Sequence, residues 1–170
     1  MTLAVVLAGG LSRRMGTAKA TVLLGGRPLI AWPLAAAAEA GLEAVVVAKP
    51  GSSLPPLAVP VWDEPEAPSH PLTGLVTALE RAEGPVVALA CDMPFVSPGL
   101  IARLGSARRS GAPARYEPSA LPVLKAGLAR EAAVRAVLAE LGAAPVAADP
   151  EELVGINDPE ALARAEAALN

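Results

Sequence analysis

The sequence predicts a three-layer α/β domain, a mostly parallel sheet with helices on both faces. Two observations carry that prediction. Strand-length and helix-length segments alternate along the chain, as they do where helical crossovers join parallel strands. The strand-length segments are continuous apolar runs, which fits burial on both faces of a sheet. A third observation bears on function: Gly9, Asp63 and Asp92 each stand just after a predicted strand. In open parallel sheets ligands bind beyond the carboxyl ends of the strands, so these three residues are expected on one rim.

Residues 3–8 form the first predicted strand, rich in β-branched side chains and too short for a helix. Residues 22–24 precede Gly25-Gly26, which marks a hairpin-like turn. A helix follows over 28–40, with Pro28 at its start and Gly41 at its close. Strands are predicted at 44–48 and 58–62, a helix at 72–82 and a strand at 86–90. Residues 98–109 read as a helix capped by Ser97. Residues 111–119 read as irregular, 121–125 as a strand, 128–141 as a helix and 145–148 as a strand. Asp158 caps a last helix over 159–169.

A chain of 170 residues is long enough for one domain with its own core. Hydrophobic residues make up 53%, many of them Ala, and aromatics only 2%, so the core must be aliphatic and closely approached. A net charge of −3 without a basic run argues against a nucleic acid partner. Cys91 is the single cysteine, so no internal disulfide forms and a cytoplasmic location is expected. No secretory signal is expected, because the first apolar run carries no positive n-region and breaks at Gly9. No membrane span is expected either: the most apolar long stretch, 29–48, is interrupted by Pro33, Glu39, Gly41 and Glu43.

The most informative stretch is Leu7-Ala8-Gly9-Gly10-Leu11-Ser12-Arg13-Arg14-Met15-Gly16, with Lys19 soon after. A strand that runs into such a loop can set backbone N–H groups and cations around phosphate oxygens. Gly9 and Gly10 let the backbone approach a ligand closely. Arg13, Arg14 and Lys19 can offset triphosphate charge. The spacing is neither that of a P-loop, since Thr17 and Ala18 part Gly16 from Lys19, nor that of a dinucleotide fingerprint, since the first two glycines are adjacent.

This pattern resembles the signature of nucleotidyltransferases, and most of all that of the molybdenum cofactor guanylyltransferases, the molybdopterin-guanine dinucleotide synthesis protein A family. The family usually has Asp before the Lys, where this chain has Ala18. The resemblance implies a Rossmann-like nucleotidyltransferase fold with one antiparallel strand in its second half. It implies a single domain over 1–170, with a nucleotide-binding half over about 1–95 and an acceptor-binding half over about 96–170. The implied reaction transfers GMP from GTP to the terminal phosphate of molybdenum-molybdopterin and releases pyrophosphate. Molybdoenzyme apoproteins and cofactor-delivery proteins are implied partners.

The resemblance also assigns residues. Leu7, Ala8, Gly9, Gly10 and Ser12 would contact the nucleotide, and Lys19 with Arg13 would stabilise its growing charge. Asp92 ends an apolar strand ahead of Met93-Pro94, the context of the family's Mg²⁺ ligand; the other reading is an Asp that caps a turn. Asp63 stands where the family contacts the nucleoside, ahead of His70-Pro71-Leu72-Thr73-Gly74, with His70 in place of Gly. Gly74 belongs to the same nucleotide-binding set. His70, the only histidine, reads as a partly exposed loop residue. Asn157 matches the second Asn of an Asn-x-Asn-Thr-Pro-Glu segment whose first Asn is Gly155 here; equally, Asn157 or Asp158 caps the last helix. Leu121 replaces a His in the acceptor half. Cys91 reads as a buried inert thiol, and Trp32 and Trp62 as packing residues. The alternatives are a transferase that uses CTP or another acceptor, and a non-catalytic GTP-binding relative. All of these readings require Lys19 and Asp92 to share one hollow.

Overall fold

The computed structural model describes residues 1–10, 16–106 and 114–169. β1 (Leu3–Leu7) forms where predicted. A 3-10 turn over Lys19–Thr21 leads into a ribbon of β2 (Leu23–Leu24) and β3 (Arg27–Pro28). Gly25 and Gly26 turn it at φ +56° and +74°, the paired left-handed conformation that a two-residue hairpin demands. The ribbon takes Pro28, so the next helix is α1 (Ala31–Glu39) and not 28–40. Pro33 falls in its first turn, where the missing N–H would have no helical partner anyway.

β4 (Ala44–Ala48) matches its prediction, whereas β5 (Val61–Asp63) is shorter than expected and ends on Asp63. α2 (Pro71–Arg81) is capped by His70, whose Nδ1 accepts from the Leu72 N–H at 3.2 Å. β6 (Val86–Ala90) leads to α3 (Pro98–Ser106), and Ser97 Oγ caps it by accepting from the Leu100 N–H at 3.0 Å.

The second half departs from the sequence reading. β7 (Ala114–Tyr116) lies in a stretch predicted irregular. Residues 121–125, predicted as a strand, open α4 (Leu121–Ala129). Pro122 is compatible with a first helical turn, and the short apolar run is the buried face of a helix, which periodicity alone cannot tell from a strand. The helix predicted over 128–141 is broken: Glu131 sits at φ +51°, and α5 (Val134–Glu140) starts afresh. Residues 145–148 form no strand. α6 (Pro159–Leu169) is capped by Asp158, whose Oδ1 accepts from the Ala161 N–H at 2.8 Å.

The main sheet runs β5-β4-β1-β6-β7. The first four strands are parallel, and β7 pairs antiparallel with β6 at the edge. Alternate side chains of each strand feed two cores. Ala4 and Val6 pack with Ala36 and Ala37 of α1 and with Leu100, Ile101 and Leu104 of α3. Val5 packs with Leu75 and Leu79 of α2, Leu124 of α4 and Val137 of α5. Helices therefore cover both faces, as expected. A third cluster joins Val22, Leu24 and Leu29 to Ile156, Ala161 and Ala165, fastening α6 to the ribbon. Each fully buried Leu or Ile there contributes about 1.5–3 kcal/mol of burial. No helix among the described residues is long and apolar enough to cross a membrane.

Candidate active site

β1 and β6 are neighbours, with Leu7 opposite Ala90, so the glycine loop and Asp92 leave the sheet side by side. The Cys91 N–H donates to the Leu7 carbonyl at 3.2 Å and holds the two exits together. The Asp92 carbonyl accepts from the Ile156 N–H at 2.8 Å, and Ile156 is fully buried. That bond fixes Gly155 and Asn157 against Asp92.

Lys19 arrives on the 3-10 turn after the loop. Its Nζ donates to Asp92 Oδ2 at 2.7 Å and to Asn157 Oδ1 at 2.5 Å. The side chains of Lys19 and Asp92 keep 20% and 16% exposure, so the pair is mostly desolvated yet within reach of a ligand. Asn157 thus faces the cation, while Asp158 alone caps α6, which resolves the two readings of that segment.

Lys19 and Asp92 share a hollow of about 1020 Å³ with Leu7, Ala8, Gly9, Gly10 and Gly74. That volume is in the range of small-molecule sites. Ser12 and Arg13 lie outside the described residues. Asp63 is exposed at the end of β5 and does not line the hollow; its neighbour Glu64 does. Successive residues of a strand point to opposite sides, so a shift of one residue exchanges the carboxylate that faces in. Residue spacing reached the right strand end but not the parity.

Glu64 is 6% exposed. Its carboxylate lies between Gly9 and Gly74: a Cβ on Gly9 would overlap Oε1, and one on Gly74 would stand 2.5 Å from Oε2. Burial pushes the Glu64 carboxyl up from its ordinary value, and the Lys49 charge opposes this only in part. Lys49 lines the same hollow and donates to the carbonyls of Pro65 and Glu66. Cys91 is buried, and burial together with the Asp92 charge pushes its thiol up to about 12. It stays protonated and is no nucleophile, as expected. Trp32 and Trp62 are covered by the guanidinium groups of Arg27 and Arg81, whose centres lie 5.1 and 5.0 Å from the rings.

Among the described residues no group of three or more His, Cys, Asp or Glu could hold a metal. Asp92, with the Asn157 amide oxygen beside it, still suits Mg²⁺, which commonly takes one or two carboxylates and fills its shell with phosphate oxygens and water. Gly155 leaves room here: a Cβ on it would stand 3.9 Å from Asp92 Oδ1.

Residues 4–152 match the model of the MobA-like NTP transferase domain. The chain belongs to the MobA-like NTP transferase family. A molybdenum cofactor guanylyltransferase of Rhodobacter capsulatus is 36% identical over 95% of this chain and 93% of its own. A protein of the same name from Cereibacter sphaeroides is also 36% identical, over 97% and 95%. The solved structure of molybdopterin-guanine dinucleotide biosynthesis protein A from Archaeoglobus fulgidus superposes with a TM-score of 0.77 at 22% identity, covering 99% of this chain and 98% of that one. This likeness shows the shared fold. Within the MobA-like family the glycine loop, Lys19 and Asp92 sit at the carboxyl rim of the sheet, where this architecture binds its ligands.

Proposed function

We propose that this MobA-like transferase moves GMP from GTP to the terminal phosphate of molybdenum-molybdopterin, giving the guanine dinucleotide form of the cofactor. A phosphate oxygen of the acceptor forms a bond to the α-phosphorus of GTP in line. The bond to the bridging oxygen breaks, and pyrophosphate leaves with its electron pair. The observation that carries the reading is the Lys19–Asp92 pair at 2.7 Å inside the hollow beside the Gly9-Gly10 loop. The names of the relatives at 36% identity over nearly the whole chain support the same reaction.

The chain's own part is positioning and charge. Leu7, Ala8 and Gly9 present backbone groups to the base and sugar, and Gly10 and Ser12 present theirs to the phosphates. Lys19, with Arg13, stabilises charge as it gathers on the triphosphate. Gly74 leaves space for the nucleoside, and Asp63 is assigned to the nucleoside from outside the hollow. Asp92 would hold Mg²⁺ with Asn157 beside it, and the ion supplies Lewis-acid stabilisation of phosphate oxygens. The nucleotide occupies the half over about 1–95, and the acceptor enters from about 96–170, next to Asn157. Cofactor-delivery proteins and apoenzymes would meet that second half, in the cytoplasm.

Pyrophosphate release tests the reading, measured with the acceptor present and with GTP, CTP or UTP in turn. Release with GTP alone is the expected result. Release with CTP would mark a cytidylyltransferase, and GTP binding without release would mark a non-catalytic relative; either outcome ends the proposal.

A further inference from the structure

Glu64 carries an inference about which base this site accepts. A buried carboxylate normally has hydrogen-bond donors around it, because leaving it bare is costly. Among the described residues no side chain or backbone N–H donates to the Glu64 carboxylate. Lys49, the cation nearest in effect, spends its donors on the carbonyls of Pro65 and Glu66. The Glu64 backbone is nonetheless firmly set, its N–H donating to the Ala48 carbonyl at 2.9 Å. The two oxygens lie against Gly9 and Gly74, neither of which has a positive φ. Glycine is needed at both positions for space beside this carboxylate and not for backbone conformation.

We propose that Glu64 reads the nucleobase, its two oxygens accepting from N1–H and the 2-amino group of guanine. An ionised carboxylate only accepts hydrogen bonds. Guanine offers two adjacent donors on one edge and so satisfies both oxygens. Cytosine and adenine each set a ring-nitrogen acceptor beside their amine, and uracil sets one N–H between two carbonyls. A carboxylate facing any of those would meet a lone pair. Glu64 enters from β5, on the opposite side of β4 and β1 from β6 and Asp92, so base and phosphates are held from different strands. The inference rests on the guanylyl transfer proposed above and names its specificity residue.

Titration calorimetry on the full chain, without acceptor, separates the two. The probes are GTP, ITP (which lacks the 2-amino group) and CTP. The intact protein should bind GTP about 10- to 100-fold more tightly than ITP, the range for one hydrogen bond to a charged group. Glu64→Gln and Glu64→Ala should bring that ratio close to one and leave weak CTP binding unchanged. Equal binding of GTP and ITP by the intact protein overturns the assignment without any variant. A GTP preference that survives in both variants overturns it and leaves guanylyl transfer standing. Equal loss of all three nucleotides in a folded variant marks Glu64 as a spacer and also overturns it. Tighter binding of CTP than GTP by the intact protein sinks both proposals.

Discussion

Lys19 Nζ lies 2.7 Å from Asp92 Oδ2, although 73 residues separate them in the chain. The contact joins the loop after β1 to the strand end of β6, and Asn157 makes it a three-way junction with the segment before α6. Preorganised charge of this kind acts where charge develops in a reaction. Replacing Lys19 by Met removes the cation but keeps an apolar stem of similar length. Lys19→Met should lower kcat for pyrophosphate release by about 10²- to 10³-fold. Lys19→Arg should recover part of this, because it restores the charge with a different geometry. The melting temperature should move little in both, since the pair keeps contact with the open hollow.

Asp92→Asn tests the other partner. The amide keeps the shape and can still accept from Lys19, but it carries no charge for a divalent cation. Turnover supported by Mg²⁺ should be abolished, while GTP binding measured in the presence of a chelator should stay within a few-fold of the original. Full activity of Asp92→Asn would remove this residue from the reaction.

Gly9 and Gly74 are expected to be intolerant for one shared reason. A Cβ on either meets the Glu64 carboxylate, at 2.5 Å for Gly74. That carboxylate is the far end of a flexible side chain, so Gly9→Ala should still fold, destabilised by about 1–3 kcal/mol as overpacking is. In a Glu64→Ala background the same Gly9→Ala change should be close to neutral. A double-mutant cycle by denaturant unfolding measures the coupling, which should be at least about 1 kcal/mol. Additive effects would mean that Glu64 is not what holds the position to glycine. Gly74 carries a second restriction, because its Cβ would also reach Leu7 Cδ2 at 3.2 Å.

The buried strands β1, β4 and β6 were legible because each is a short β-branched run closed by Gly, Pro or Asp, and helix ends were legible through Ser97 and Asp158. The loop and Asp92 were legible as chemistry because cations, glycines and a carboxylate at strand ends have few other uses. What escaped was set by tertiary context. Leu121, Val123 and Leu124 could be a strand or one face of a helix until α2 packs beside them. β7 is only Ala114–Tyr116, and its pairing with β6 comes from the sheet edge, not from its own pattern. Asp63 was favoured over Glu64 because residue spacing locates a strand end to within a residue, whereas the face depends on an odd or even count. The bond from Lys19 to Asn157 spans 138 residues, and no local signal points to it.

Glu64 should also leave a mark on the stability of the fold. Its carboxyl is pushed up from 4.5 by burial, so the native state holds this proton more tightly than the unfolded chain does. Stability from this group therefore rises as pH falls through the raised native value, and is complete once pH drops below 4.5, where both states are protonated. Above the native value the protein carries an ionised, poorly solvated carboxylate and is less stable for it. Glu64→Gln removes the charge and keeps the shape. At pH 8 it should stabilise the fold by about 1 kcal/mol, the lower end of the range for an unsatisfied buried group because the oxygens border an open hollow. That corresponds to a rise of about 2–4 °C in Tm for a chain of this size. The advantage should shrink steadily as pH is lowered toward 4.5. Thermal melts of both proteins across that pH span check the sign. An advantage that grows in acid, or no difference at pH 8, would mean that Glu64 already has a partner in the folded protein. A stabilised variant that has lost its preference for GTP over ITP would show a charge kept at the expense of stability because the ligand needs it.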